Sequence, residues 1–392
     1  MLSQILSTCV LIHSAAHADD DDSDSPVTLV RACNRFSVRY FKNCFNPTEN
    51  ILCSPVVVRL GLAMFYQVSG TPIEEDLRTV LHLPSDKSTS NTQQVQLHDD
   101  LTSSGALKIH TMICTSETRP LDACFQDLLA NHAPPVVLEP VDFTDDVSTA
   151  RAVNGWIQSK RCEIDDLVTE GDVWSLETLS VMMFNAVSLM TKWRLGFDPR
   201  LTELKEFKFL NKVQRVSMMQ GIFKARYCYD HQMRCKVVEL PFEQSSNYNL
   251  LIILPDDDQC LADVVDAIPE DYLTTMNDSL TEKCVDIQIP MITVAMKTSV
   301  KDVLSKLDCA GIFELKDLKV FADGKDQLDR FYQHCWFRMD ENGAQTNAPL
   351  AESPQVSFTA DRPFLYVVRK ANDSAVIMIG DYSIYVDPDE QF

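Results

Sequence analysis

The stretch LETLSVMMFNAVSLMTKW, residues 176–193, limits what this chain can fold into more than any other. It is apolar on both alternations of a strand: Val181, Met182, Met183, Phe184, Val187 and Leu189 leave little polar face to offer water. A strand of that kind belongs inside a sheet that is covered on both sides. It therefore needs a large surrounding structure, which the rest of the chain supplies. No run approaches the roughly eighteen apolar residues that a membrane helix needs.

Residues 27–44 place Leu29, Ala32, Cys33, Phe36, Tyr40, Phe41 and Cys44 at helical spacing and predict an amphipathic helix. Ser54-Pro55 reads as a helix start, with Ser as the cap and Pro in the first turn. Gly70 ends that helix, and Thr71 with Glu74 forms a capping-box pattern for the next. Residues 85–104 are polar and read as loop plus one short helix. A strand is expected at 106–116, a helix at 120–131 and another in ARAVNGWIQSKRCEIDDLV from Ala150. FKARYCYD, CKVVELPF, YNLLIILP and VDIQIPMITV read as strands, with a helix over 300–307. FYQHCWFRM runs into a polar stretch from Glu341, and PFLYVVRKANDSAVIMIG is a hairpin around Asn372-Asp373. No repeat or composition break divides the chain, so one α+β domain over 27–386 is expected.

A formal net charge of −22 argues against nucleic acid and anionic membrane surfaces as partners, since both would repel the chain. The opening MLSQILSTCVLIHSAAHA has the form of a signal peptide cut after Ala18, followed by an acidic tail over 19–26; residues 387–392 form a C-terminal tail. Secretion is expected. Twelve cysteines would remain, none in a C-x-x-C pair, so structural zinc and thioredoxin-like sites lack their spacing. Cys228 and Cys235 flank a hairpin and are a candidate disulfide; buried free thiols are the alternative. The sequons at Asn277 and Asn372 suit a glycoprotein. There is no G-x-S-x-G, no phosphate-cradling G-x-x-x-x-G-K and no H-E-x-x-H, so no enzyme, cofactor or metal is indicated.

Several of these features recur together in a known family. Asn50, Ser54-Pro55, the apolar helix, Gly70-Thr71 and Leu81-His82-Leu83 follow one another at its spacing. So do Asn154 and Trp156, Asn185 and Trp193, and then Phe197, Thr202 and Phe207 at plus 4, plus 9 and plus 14 from Trp193. In these positions the chain resembles the serpins, suicide inhibitors of serine proteases, over roughly residues 27–386. The resemblance implies a single-domain monomer with three β-sheets, among them a large mixed central sheet A. It also implies about eight or nine helices and an exposed reactive loop, here residues 342–357.

In that family the loop is bait. A protease attacks it, an acyl-enzyme forms, and the cut loop inserts into sheet A as a new central strand, driven by strain stored in the native fold. The hinge that begins insertion matches at Glu341 and Gly343, and Ala344, Thr346, Ala348 and Leu350 would face the core. Further on, Pro349 would lie inside a central strand without an amide to give, and Glu352 and Pro354 would point inward. Glu341 to Pro363 is 22 positions. That is about five short of a typical inhibitory loop, or roughly 17 Å of missing strand. A bait bond would fall among Leu350, Ala351, Glu352 and Ser353, suiting a chymotrypsin-like, elastase-like or acid-directed protease. No Arg or Lys occurs from Asn342 to Asp361, which disfavours a trypsin-like one.

The sheet-opening region is carried by Ser54, Asn185, Trp193 and His334. It departs from the family at Val57, which replaces a second serine, and at the turn Ser188-Leu189-Met190-Thr191. Register puts Gln333 at the family's histidine position with His334 one place on; a deletion in that strand would restore His334, and both alternatives stand. Where some serpins bind heparin, this chain has Asp99 and Asp100 with Lys87 as the only cation, so heparin binding is not expected. The function implied first is a secreted, non-inhibitory binding protein or loop-cleaved substrate. Its rivals are a working inhibitor of an extracellular chymotrypsin-like or elastase-like serine protease, and a hormone or ligand carrier.

Overall fold

A computed structural model describes residues 26–131, 134–160, 164, 166–174, 179–346 and 353–386. The amphipathic first segment is helix α1 (Pro26–Cys44), followed by the short strand β1 (Leu52–Cys53) and helices α2 (Pro55–Gln67), α3 (Thr71–Leu81) and α4 (Lys87–Thr102). Strand β2 (Leu107–Ser116), helix α5 (Ala123–Asn131), strand β3 (Val137–Val141) and helices α6 (Asp146–Ser159) and α7 (Glu170–Val173) lead to β4 (Val181–Leu189). Next come β5 (Trp193–Gly196), β6 (Glu203–Lys208), β7 (Val213–Asp230), β8 (Cys235–Pro241) and β9 (Tyr248–Pro255). Helices α8 (Leu261–Ala267) and α9 (Tyr272–Thr275) precede β10 (Thr281–Pro290) and β11 (Ile292–Ser299), and α10 (Val300–Ser305) and α11 (Gly311–Glu314) precede β12 (Arg330–Met339). The chain closes with β13 (Gly343–Thr346), β14 (Val356–Thr359), β15 (Phe364–Lys370) and β16 (Val376–Tyr382).

The apolar run behaves as its composition demands. All nine residues of β4 are buried, and β4 is the middle strand of a five-stranded mixed sheet ordered β11-β12-β4-β2-β3. Helix α2 covers one face: a Cβ on Gly61 would come within 2.5 Å of Met183 Cε, so bare backbone is what lets the helix sit so close. Helix α6 covers the other, packing Val153 and Ile157 against Met112 and Phe184. A nine-stranded sheet runs β1-β16-β15-β9-β8-β7-β10-β14 with β6 paired to the long β7, and β13 pairs with β5 as a third, two-stranded unit. The fold is thus α+β with three sheets, the central one smaller than its neighbour. Among the described residues there are eleven α-helical segments, three of them (α7, α9 and α11) single four-residue turns, and the eight longer ones meet the expected eight or nine.

Three local expectations are corrected. Residues 87–102 are one continuous 16-residue helix rather than a loop with a short helix. Asp86 caps it through Thr89 N at 2.7 Å, and Leu97 and Leu101 bury its inner face. Ser54 stands at the cap position of α2, but its hydroxyl donates to Ile377 O at 2.6 Å and caps nothing. Thr71 is already helical, so Gly70 is the cap of α3; the capping box forms instead between Thr169 and Asp172 on α7.

Inside the nine-stranded sheet, Glu239 accepts from Arg369 at 2.6 Å and from Arg226 at 2.7 Å, with Arg369 and Glu239 both buried. Removing one member of such a group strands a charge out of water, which costs about 3–5 kcal/mol. Glu239→Ala is expected to lower the unfolding free energy from denaturant melts by an amount in that range, while Arg226→Ala, whose side chain is partly exposed, costs less.

Candidate functional site

The hinge is not loose. After β12, residues Gly343–Thr346 pair in parallel with Trp193–Gly196. Trp193 N donates to Asn342 O at 2.9 Å, and Phe197 N donates to Glu341 O at 3.0 Å. The Trp193 indole Nε1 donates to Asp340 O at 2.6 Å. The indole is clamped in turn by Phe242, stacked at 4.8 Å, and by the edge of Phe197 at 5.8 Å. Contact is closest at two glycines: a Cβ on Gly343 would fall 2.1 Å from Gly196 N, and one on Gly196 would fall 2.8 Å from Gly343 N. The backbones meet where only glycine fits.

Below the hinge the central sheet is closed. Strands β4 and β12 pair in parallel without a break from Met182↔Arg330 to Leu189↔Phe337. Gln333 lies opposite Asn185, and both are fully buried toward α2. Gln333 Oε1 accepts from Ser54 N at 2.8 Å, and its Nε2 donates to Ser54 O at 2.9 Å. Asn185 Nδ2 donates to Val57 O at 3.3 Å and its Oδ1 accepts from Thr111 at 2.9 Å. With Ser54 Oγ on Ile377 O, one polar junction ties β2, β4, β12, β16 and the start of α2.

His334 is not part of this junction. It lies opposite Ala186 and faces the α6 side with Tyr332 and Trp336. The strand therefore has no deletion that restores the histidine, and Gln333 occupies the inward position. Burial, helped by Lys297, lowers the His334 imidazole to about 4, with the Asp166 backbone opposing. Where β4 and β12 part, an open cleft of about 390 Å³ is lined by Leu189, Met190, Thr191, Lys192, Trp336 and Arg338, among others.

Of the hinge and bait residues, Ala344 and Ser353 are exposed, while Ala348, Leu350, Ala351 and Glu352 lie outside the described residues. Asn372 is exposed in the β15–β16 turn, whereas Asn277 is half-buried and its Oδ1 accepts from Arg226 at 2.9 Å. Cys228 and Cys235 are both free thiols. Their register places Cys228 opposite Val237 and Asp230 opposite Cys235, so they are diagonal neighbours. Sequence reading missed Gly196. In a chain with eleven glycines, one inside a strand was a usable sign of close backbone approach.

Compared with known proteins, residues 31–384 match the family model described as Serpin (serine protease inhibitor). The structure of SRPN18 from Anopheles gambiae superposes with a TM-score of 0.88 at 36% identity, covering 92% of this chain and all of that one. Serpin48 of the insect Tenebrio molitor superposes with a TM-score of 0.81 at 22% identity over 95% of this chain and all of that one, a likeness of fold. The leukocyte elastase inhibitor of Bos taurus is 26% identical over 91% of this chain and 99% of its own length.

Two outcomes test the geometry. Gly343→Val removes the close approach to Gly196, so the loop is expected to be cut several-fold faster in limited proteolysis while circular dichroism of the body is unchanged. The lowered His334 pKa means the folded state holds fewer protons than the unfolded one between about pH 4 and the ordinary histidine value of 6.5. Stability should therefore fall as pH drops through that window. Relative to wild type, His334→Gln should flatten the fall by roughly 1–3 kcal/mol in urea melts across the same range.

Proposed function

Because the chain belongs to the serpin family, we propose that it is a secreted member that does not trap proteases and acts instead as a binding protein or a loop-cleaved substrate. The docked hinge carries this reading. Insertion would require Gly343–Thr346 to leave Trp193–Gly196 and the β4–β12 ladder to open along its whole length. What the incoming strand offers in return is poor: Pro349 lacks an amide, and Glu352 would be a carboxylate facing apolar residues. The short loop adds to the imbalance. Secretion rests on the signal-like residues 1–18, which lie outside the described residues, and on the sequons at Asn277 and the exposed Asn372. The function needs no catalytic residue, so the protein is not an enzyme, and the partner that cuts it is an extracellular serine protease accepting Leu350 or Glu352.

The inhibitor relatives and the small hinge residues favour a second reading, a working inhibitor with its bait between Leu350 and Ser353. Incubation with a pancreatic-type elastase separates the two. Clean cleavage, an unchanged thermal midpoint and no adduct surviving boiling in detergent are expected. A large rise in melting temperature after cleavage, together with a covalent complex, would establish insertion and overturn the first reading.

A further inference from the structure

Helix α2 carries a charge that the fold leaves without a counter-charge. Arg59 is completely buried on that helix, at 0% exposure. A guanidinium keeps its proton at any working pH, so burial cannot neutralise it as it can a lysine. Its Nε donates to Leu81 O at 3.0 Å, and its Nη1 donates to Gln94 Oε1 at 2.7 Å. Leu81 closes α3, so the first of these contacts sets the charge at the negative end of a helix. Both acceptors are neutral groups, and Nη2 is buried with no hydrogen-bond partner. Among the described residues no carboxylate forms an ion pair with Arg59. Gln94 carries the contacts onward: its Nε2 donates to Ser90 O at 3.2 Å, one turn back along α4. Ser90 is also fully buried, and its hydroxyl, like Arg59 Nη2, has no partner. The two unused donors thus belong to one hydrogen-bonded chain, where α2 packs against α3 and α4.

We propose that this junction binds a small monovalent anion of the chloride class, held by Arg59 Nη2 and the Ser90 hydroxyl. A charge out of water is retained where another charge pairs with it. The end of α3 supplies only roughly half an elementary charge, so a full negative charge is still wanting. The size of the ion follows from the enclosure. Arg59 and Ser90 are 0% exposed and Gln94 is 2% exposed, which leaves no mouth for a larger group. Its valence follows from the donors: one cation and one hydroxyl suit a monoanion, whereas a phosphate would bring several oxygens with nothing to bond. The ion also gives the polar inner face of α4 a purpose. Ser90 and Gln94 point inward to complete the site, and through it α4 is fastened to α2 and to the end of α3.

The test follows thermal unfolding of the full-length chain while chloride replaces gluconate stepwise at constant ionic strength. The midpoint should rise along a saturating curve, as it does for an ion that binds only the folded state. Bromide should act in the same way. Arg59→Met keeps most of the stem without the charge and should abolish the response. Ser90→Ala keeps the cation and should raise the half-saturating chloride concentration several-fold. A crystal grown in bromide should show an anomalous scattering peak beside Arg59 Nη2. Equal midpoints in the two salts, a response undiminished in Arg59→Met, or a water in place of bromide at Nη2 overturns the proposal. Should Arg59→Met not fold, an unchanged half-saturating concentration in Ser90→Ala overturns it as well.

Discussion

A single side-chain amide holds the two main sheets and the second helix in register. Gln333 uses both ends of its amide on the backbone of Ser54, one end accepting and the other donating, at 2.8 and 2.9 Å. Ser54 passes the tie to β16 through its hydroxyl, and Asn185 extends it to β2 and to the first turn of α2. All three side chains are fully buried, where each unmade hydrogen bond would cost about 1–3 kcal/mol. An amide is well suited to this place, because it offers a donor and an acceptor at every pH, whereas an imidazole changes its offer on protonation.

Much of this was legible in the chain. The apolar residues on both faces of β4 required a covered sheet, and its nine buried residues meet that requirement. The amphipathic spacing of α1 and the strands around Pro255 were read from periodicity alone, which is strongest where burial is one-sided or complete. Helix α4 was not, because its inner face is marked only by scattered residues, Ser90, Gln94, Leu97 and Leu101, two of them polar. Such a face has no hydrophobic period to find. The caps failed for a related reason: Ser54 and Thr71 match a local pattern, but tertiary partners claim the Ser54 hydroxyl and shift the start of α3 by one residue.

The choice between Gln333 and His334 illustrates a different limit. Alternation along a strand decides which of two neighbours faces inward only once the register is known. Pairing with β4 supplies that register, and with it the separation of roles: Gln333 joins the buried junction, and His334 is left under α6 as a neutral imidazole. The hinge was legible in identity at Glu341 and Gly343 but not in posture. Its docking depends on Gly196, a residue 147 positions earlier in the chain, and on a backbone contact that no local pattern encodes.

The segment between the hinge and β14 joins two bodies that do not share a sheet. At one end Gly343–Thr346 is fastened to β5; at the other Val356–Thr359 runs parallel to β10 within the nine-stranded sheet. From Thr346 to Val356 there are ten steps of chain, at most about 33–36 Å of contour. That length is the most the two anchors can stand apart, and any lengthening of the segment has to come from unpairing Gly343–Thr346 or Val356–Thr359.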